Sequence, residues 1–126
     1  MSFEYDDENI FAKILRGEIP NKTVVQTDHT LAFEDLYPQA PHHILVIPKG
    51  EYTCFDDFCQ NATAEEIVDF HRVIGEICVD LGIALSEGGD GYRVISNAGE
   101  AGHQDIPHYH MHILAGRDLG RMVNPA

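Results

Sequence analysis

The chain is short of positive charge: eight Lys and Arg stand against 21 Asp and Glu in 126 residues, a formal charge of −13. That balance repels a polyphosphate backbone and excludes general DNA or RNA binding. A small anionic ligand stays compatible, because one pocket can be locally favourable on an acidic protein. Cysteine is sparse too. Cys54, Cys59 and Cys78 are odd in number and form no Cys-x-x-Cys pair, so neither a disulfide framework nor a zinc ribbon is expected. No apolar run approaches the roughly 18 residues of a membrane span. The first residues are acidic and lack an apolar signal core, so a cytoplasmic setting is expected. There is no tryptophan, and neither an internal repeat nor a low-complexity linker is visible.

What the chain has in excess is histidine, eight in all. Its length suits one domain spanning 1–126 with an ordinary core. Met1–Asp7 is expected to be mobile, and 116–126 reads as a tail. Ile10, Phe11, Ile14 and Leu15 recur at helical spacing over Glu8–Arg16, with Asp7 as cap and Gly17 as stop. Thr23–Thr27 and Thr30–Glu34 read as a hairpin, and His43–Ile47 as a strand buried on both faces. Lys49–Asn61 reads as irregular. Thr63-Ala-Glu-Glu66 has the capping-box pattern and opens a helix to Leu81 with one apolar face. Tyr92–Ser96 and His108–Leu114 read as strands separated by a Gly-containing loop. This order predicts an α+β fold with a five-stranded antiparallel sheet and two main helices.

Three histidines fall within His108-Tyr109-His110-Met111-His112-Ile113-Leu114. On an extended chain alternate residues share a face, so His108, His110 and His112 project together and Tyr109, Met111 and Ile113 point to the core. Three imidazoles in a row are poor packing, since each has a donor and an acceptor to satisfy. Two chemistries want such a row. One is metal binding, with an open position for catalysis. The other uses one imidazole as nucleophile toward phosphorus while its neighbours bind the anion. His43, at the head of an apolar strand, is placed to join either. A straight strand spans too much length for three alternate residues to converge well on one ion.

The segment resembles the signature of the histidine-triad family, His-φ-His-φ-His-φ-φ with φ apolar, at every position. The resemblance extends through Ile10–Pro20, Ala32–Asp35, Pro38–Pro41, His43–Pro48 and Gly91–Asn97, in order. A third histidine, His112, is similar to the family's hydrolases rather than to its transferases, which carry Gln there. Short length and the Pro-Gln-Ala-Pro and Gly-Arg elements look most like the nucleoside phosphoramidase branch.

The resemblance implies a homodimer whose sheet continues across the two subunits, the Asn61–Leu81 helix adding to the contact. It implies hydrolysis of a purine nucleoside 5′-phosphate derivative at the α-phosphate. By the same resemblance His110 is the nucleophile, and His108 is a nucleotide contact whose carbonyl holds the His110 ring with Nε2 free. His112 and His43 hydrogen-bond the phosphate and the nucleophile, Asp35 binds the ribose hydroxyls, and Asn97 lies near ribose or phosphate. Phe11, Ile14 and Leu36 line a slot for the base. Many members carry a structural zinc on cysteines around the first helix; Asn9 and Ala12 stand there instead, and no metal or cofactor is expected. His103-Gln104-Asp105-Ile106 replaces the usual Gly-Gln-Ser/Thr-Val. Gln104 is retained as a nucleotide contact. Asp105 replaces a hydroxyl, and either turns outward, leaving protonation of the leaving group to water, or acts as a general acid with a raised pKa. Alternatives are a zinc-dependent hydrolase on the same histidines, a dinucleoside polyphosphate hydrolase, and a purine nucleotide-binding signalling module with little activity.

Overall fold

A computed structural model describes residues 4–122. The order is α1 (Ile10–Leu15), β1 (Thr23–Gln26), β2 (Thr30–Glu34), β3 (His42–Pro48), α2 (Phe55–Asn61), α3 (Ala64–Asp80), a 3-10 turn (Leu85–Glu87), β4 (Arg93–Ile95) and β5 (Met111–Ala115). All neighbouring strands are antiparallel, in the spatial order β1-β2-β3-β5-β4. The fold is α+β, as its sequence predicts. Among the described residues no helix is long and apolar enough to cross a membrane.

β3 is the central strand, and His43–Pro48 are buried. Its residues alternate between two cores. Ile44 and Val46 join Ala32, Ile113, Tyr109 and the α3 residues Phe70, Val73 and Ile77. Leu45 and Ile47 join Leu31, Phe33, Phe11 and Ile14 of α1. The long α3 is held by its capping box, Thr63 and Glu66 each bonding the other's backbone N–H. Asp69 Oδ2 then accepts from Thr27 Oγ1 at 2.5 Å and Thr30 Oγ1 at 2.7 Å, fastening α3 to the first hairpin. α1 has only six residues. It packs through Phe11 and Ile14 on the sheet face that carries Leu45 and Ile47.

Four local expectations are corrected. α1 is capped by Asn9, whose side chain accepts from the Ala12 N–H at 2.9 Å, and not by Asp7. The stretch read as irregular contains α2; Phe58 is its one buried residue, too little to show a period. β4 is two residues shorter than expected. β5 starts at Met111, so His108–His110 are extended but outside the ladder. The cause is local. Pro48 has no N–H to offer at the end of β3, and the Tyr109 N–H donates to the Tyr52 carbonyl at 2.7 Å. Of the expected mobile Met1–Asp7, residues 1–3 lie outside the described residues and Tyr5 is hydrogen-bonded. Residues 123–126 of the tail also lie outside them.

Candidate active site

The triad keeps its alternation although the ladder begins late. Tyr109 and Met111 pack with the α3 core, while the rings of His108 and His110 stand edge-on to Phe11, at centroid distances of 6.2 and 5.0 Å. His112 follows on the same face, 5.1 Å from His110 ring to ring. β3 delivers a fourth imidazole. His43 pairs with Leu114, and Leu45 with His112, so His43 and His112 are diagonal neighbours on one face, within reach of long side chains. His43 Nε2 lies 2.9 Å from His112 Nδ1. Asp35, just past β2, places Oδ2 3.4 Å from the same His43 nitrogen; its Oδ1 accepts from the Tyr37 N–H at 2.8 Å, fixing the turn.

Burial keeps these rings uncharged. It pulls the pKa of His108 and of His112 down to about 4. For His112 the neighbouring His110 and His43 add to the depression, and Asp35 and Asp105 oppose it. His110 is depressed by burial as well, against the His108 carbonyl and the charges of Asp105 and Asp35. His43 is lowered by burial, with Asp35 opposing. A neutral imidazole has one N–H and one lone pair, and whichever partner each nitrogen meets decides which is which.

The backbone makes that assignment. The His108 carbonyl lies 2.7 Å from His110 Nδ1. A carbonyl only accepts, so Nδ1 carries the proton and His110 Nε2 keeps its lone pair, with no hydrogen-bond partner among the described residues. The Gln39 N–H donates to His43 Nδ1 at 3.0 Å. An N–H only donates, so His43 carries its proton on Nε2 and donates it to His112 Nδ1. His112 must then carry its own proton on Nε2. The result is one bare nucleophilic nitrogen beside one aimed donor. His108 is different: Nε2 donates to the Pro48 carbonyl at 2.8 Å and Nδ1 meets the Tyr5 hydroxyl at 2.6 Å. With both nitrogens used and no exposed surface, its ring is structural and not the nucleotide contact that the sequence suggests.

Asp35, His43 and His112 are also the cluster, among the described residues, whose ligand atoms lie close enough to share a metal ion. The tautomers argue against that use. A ligating His43 Nε2 must be bare, which puts the proton on Nδ1, against the Gln39 N–H.

Several expected contacts fall elsewhere. Gln104 is not free for a nucleotide: its Oε1 accepts from the Gly99 N–H, and its Nε2 donates to the Thr53 and Ile106 carbonyls at 2.7 and 2.9 Å. It pins the loop whose neighbour His103 adopts φ 57°, the region glycine prefers. Ile14 is buried and faces a separate cavity of about 320 Å³ with Leu15, Asn21 and Lys49. Phe11 is buried but touches His110. Leu36, 76% exposed, is open to a ligand. Asn97 is half-buried, its amide unbonded among the described residues. Asp105 is exposed. The contacts of Tyr5 and of Gln39 carried no sequence signal, since both are made across the fold.

The HIT-domain family pattern matches residues 16–119. The chain belongs to the HIT family. It is similar to a 13.2 kDa HIT-like protein of Azospirillum brasilense, 52% identical over 123 residues and covering 98% of each chain. It is also similar to the purine nucleoside phosphoramidase of Escherichia coli, 44% identical over 119 residues, covering 93% of this chain and 94% of that one. Among solved structures, a histidine triad protein from Clostridium difficile superposes with a TM-score of 0.79 at 39% identity, covering 95% of this chain and all of the other.

Proposed function

We propose that this HIT protein hydrolyses purine nucleoside 5′-phosphoramidates, or related derivatives, at the α-phosphate through a nucleotidyl-His110 intermediate. One observation carries the reading: the His108 carbonyl accepts a hydrogen bond from His110 Nδ1–H at 2.7 Å, which leaves Nε2 with its lone pair. In the first step Nε2 attacks phosphorus, the P–N bond breaks and the amine leaves with a proton from water. In the second, water attacks phosphorus, the N–P bond to His110 breaks and the nucleoside monophosphate departs. His112 Nε2–H donates to a non-bridging oxygen as charge builds there.

Asp35 suits the ribose hydroxyls, Leu36 the base, and Asn97 the ribose or phosphate. The exposure of Asp105 favours water over this carboxyl as the acid, leaving Asp105 to act through its charge on His110. The name of the E. coli relative supports the P–N substrate. β4 is an edge strand, with Tyr92 46% and Val94 43% exposed on it or beside it. That edge suits a homodimer with a continuous sheet. Three unpaired cysteines suit a reducing, cytoplasmic setting.

The test is His110→Ala on an adenosine phosphoramidate. Turnover should fall below about 1% while adenosine monophosphate binds within about tenfold, because the nucleophile acts in the transition state. A variant that keeps more activity removes His110 from the role.

A further inference from the structure

We propose that Tyr5 is a positioning residue for His110, acting through His108. The inference rests on His110 being the nucleophile. His110 is oriented by the His108 backbone, so whatever fixes His108 fixes the attacking nitrogen. The His108 ring is wholly buried and its Nε2 is committed to the Pro48 carbonyl. Its Nδ1 is therefore a bare acceptor in a dry place, and an unmet acceptor there is costly. The Tyr5 hydroxyl meets it at 2.6 Å, with the two rings edge to face at 5.5 Å.

The Asn9 side chain acts on the Tyr5 phenol and lowers its pKa, against the larger effect of burial. Asn9 is buried, caps α1 and donates to the Asp6 carbonyl at 2.6 Å. Burial raises the Tyr5 pKa, so the hydroxyl keeps its proton to donate at neutral pH. A continuous path thus runs from the Tyr5 hydroxyl through the His108 ring to the His108 carbonyl and His110 Nδ1. Phe11, from α1, braces both histidine rings. The hydroxyl also locks the His108 tautomer. Without it, Nδ1 could take the proton only by giving up the bond to Pro48, and the peptide that orients His110 would be released on one side. The path explains why a histidine with no free ring nitrogen sits in the triad: its ring is the anchor and its carbonyl is the tool.

The experiment compares full-length wild type, Tyr5→Phe and Tyr5→Ala. Steady-state kinetics on an adenosine phosphoramidate are read beside long-range ¹H–¹⁵N spectra of the histidine rings at pH 7. Phe keeps the ring and removes only the hydroxyl, so a packing role predicts wild-type behaviour from Tyr5→Phe and a loss only from Tyr5→Ala. The proposal predicts that Tyr5→Phe lowers kcat by about tenfold with KM within about twofold, the signature of a misplaced attacking group. It also predicts a shifted His108 Nδ1 and a second tautomer at His110. A Tyr5→Phe protein with wild-type kcat overturns the proposal, and so does a lower kcat with unchanged His110 nitrogens. If wild type itself does not turn over, the proposed function falls, and the ring-nitrogen spectra alone decide the Tyr5 link.

Discussion

At the scale of single residues, the site is a set of proton positions dictated by groups that cannot change roles. A carbonyl fixes His110, an amide fixes His43, and His112 inherits its tautomer from His43. His108 shows the energetic side. Its pKa is near 6.5 when unfolded and about 4 when folded, so below pH 6.5 the unfolded chain binds the proton more readily. Its contribution to stability is complete above pH 6.5 and drains away as pH falls toward 4, by about 3 kcal/mol in all. Replacing His108 with Asn removes that titration. Denaturant unfolding at pH 7.5 and 4.5 should show a smaller acid loss for His108→Asn than for wild type. Equal losses in both would mean that His108 is not held neutral. The triad's alternation was legible because period two survives wherever the chain is extended. The tautomers were not, because each depends on a partner far along the chain: residues 43 and 112, 48 and 108, 5 and 108.

At the scale of elements, one long helix and one short one divide the sheet between them. α3 packs on the face of Ile44 and Val46 and α1 on that of Leu45 and Ile47; of the site's imidazoles His43, His108 and His110 are buried and His112 is half-buried. The hold on α3 begins at its cap. Thr63→Ala breaks the reciprocal bonds with Glu66 and should cost about 1 kcal/mol, read as a lower denaturant midpoint with an unchanged m-value. No loss would mean that the cap is already satisfied by water. The capping box and the α3 stripe were plain in the sequence because both are local patterns. α2 was not, because a seven-residue helix with one buried side chain has no period to read. Gln104 was legible as a residue of the site loop but not in its role, since an amide that pins a loop and one that holds a ligand look alike until their partners are seen.

At the scale of the whole molecule, the charge of −13 surrounds a site proposed to bind an anion. Neutral histidines supply no counter-charge, so approach is opposed by the field and helped by screening. KM for an anionic nucleotide substrate should fall by about twofold or more between 0.02 and 0.2 M salt. A KM that rises with salt would contradict this and point to local cationic steering of the substrate.

The central claim is that His110 forms a covalent bond to phosphorus, and trapping that bond tests it most directly. Wild-type protein mixed with an adenosine phosphoramidate, quenched rapidly without acid and digested should yield one nucleotidylated peptide. That peptide should contain residues 108–112 with the adduct on His110. It should form and decay at rates consistent with turnover, whether or not a chelator is present. A chelator-sensitive rate restored by zinc, with no adduct at any time, would contradict the account and favour a metal-bound water at Asp35, His43 and His112.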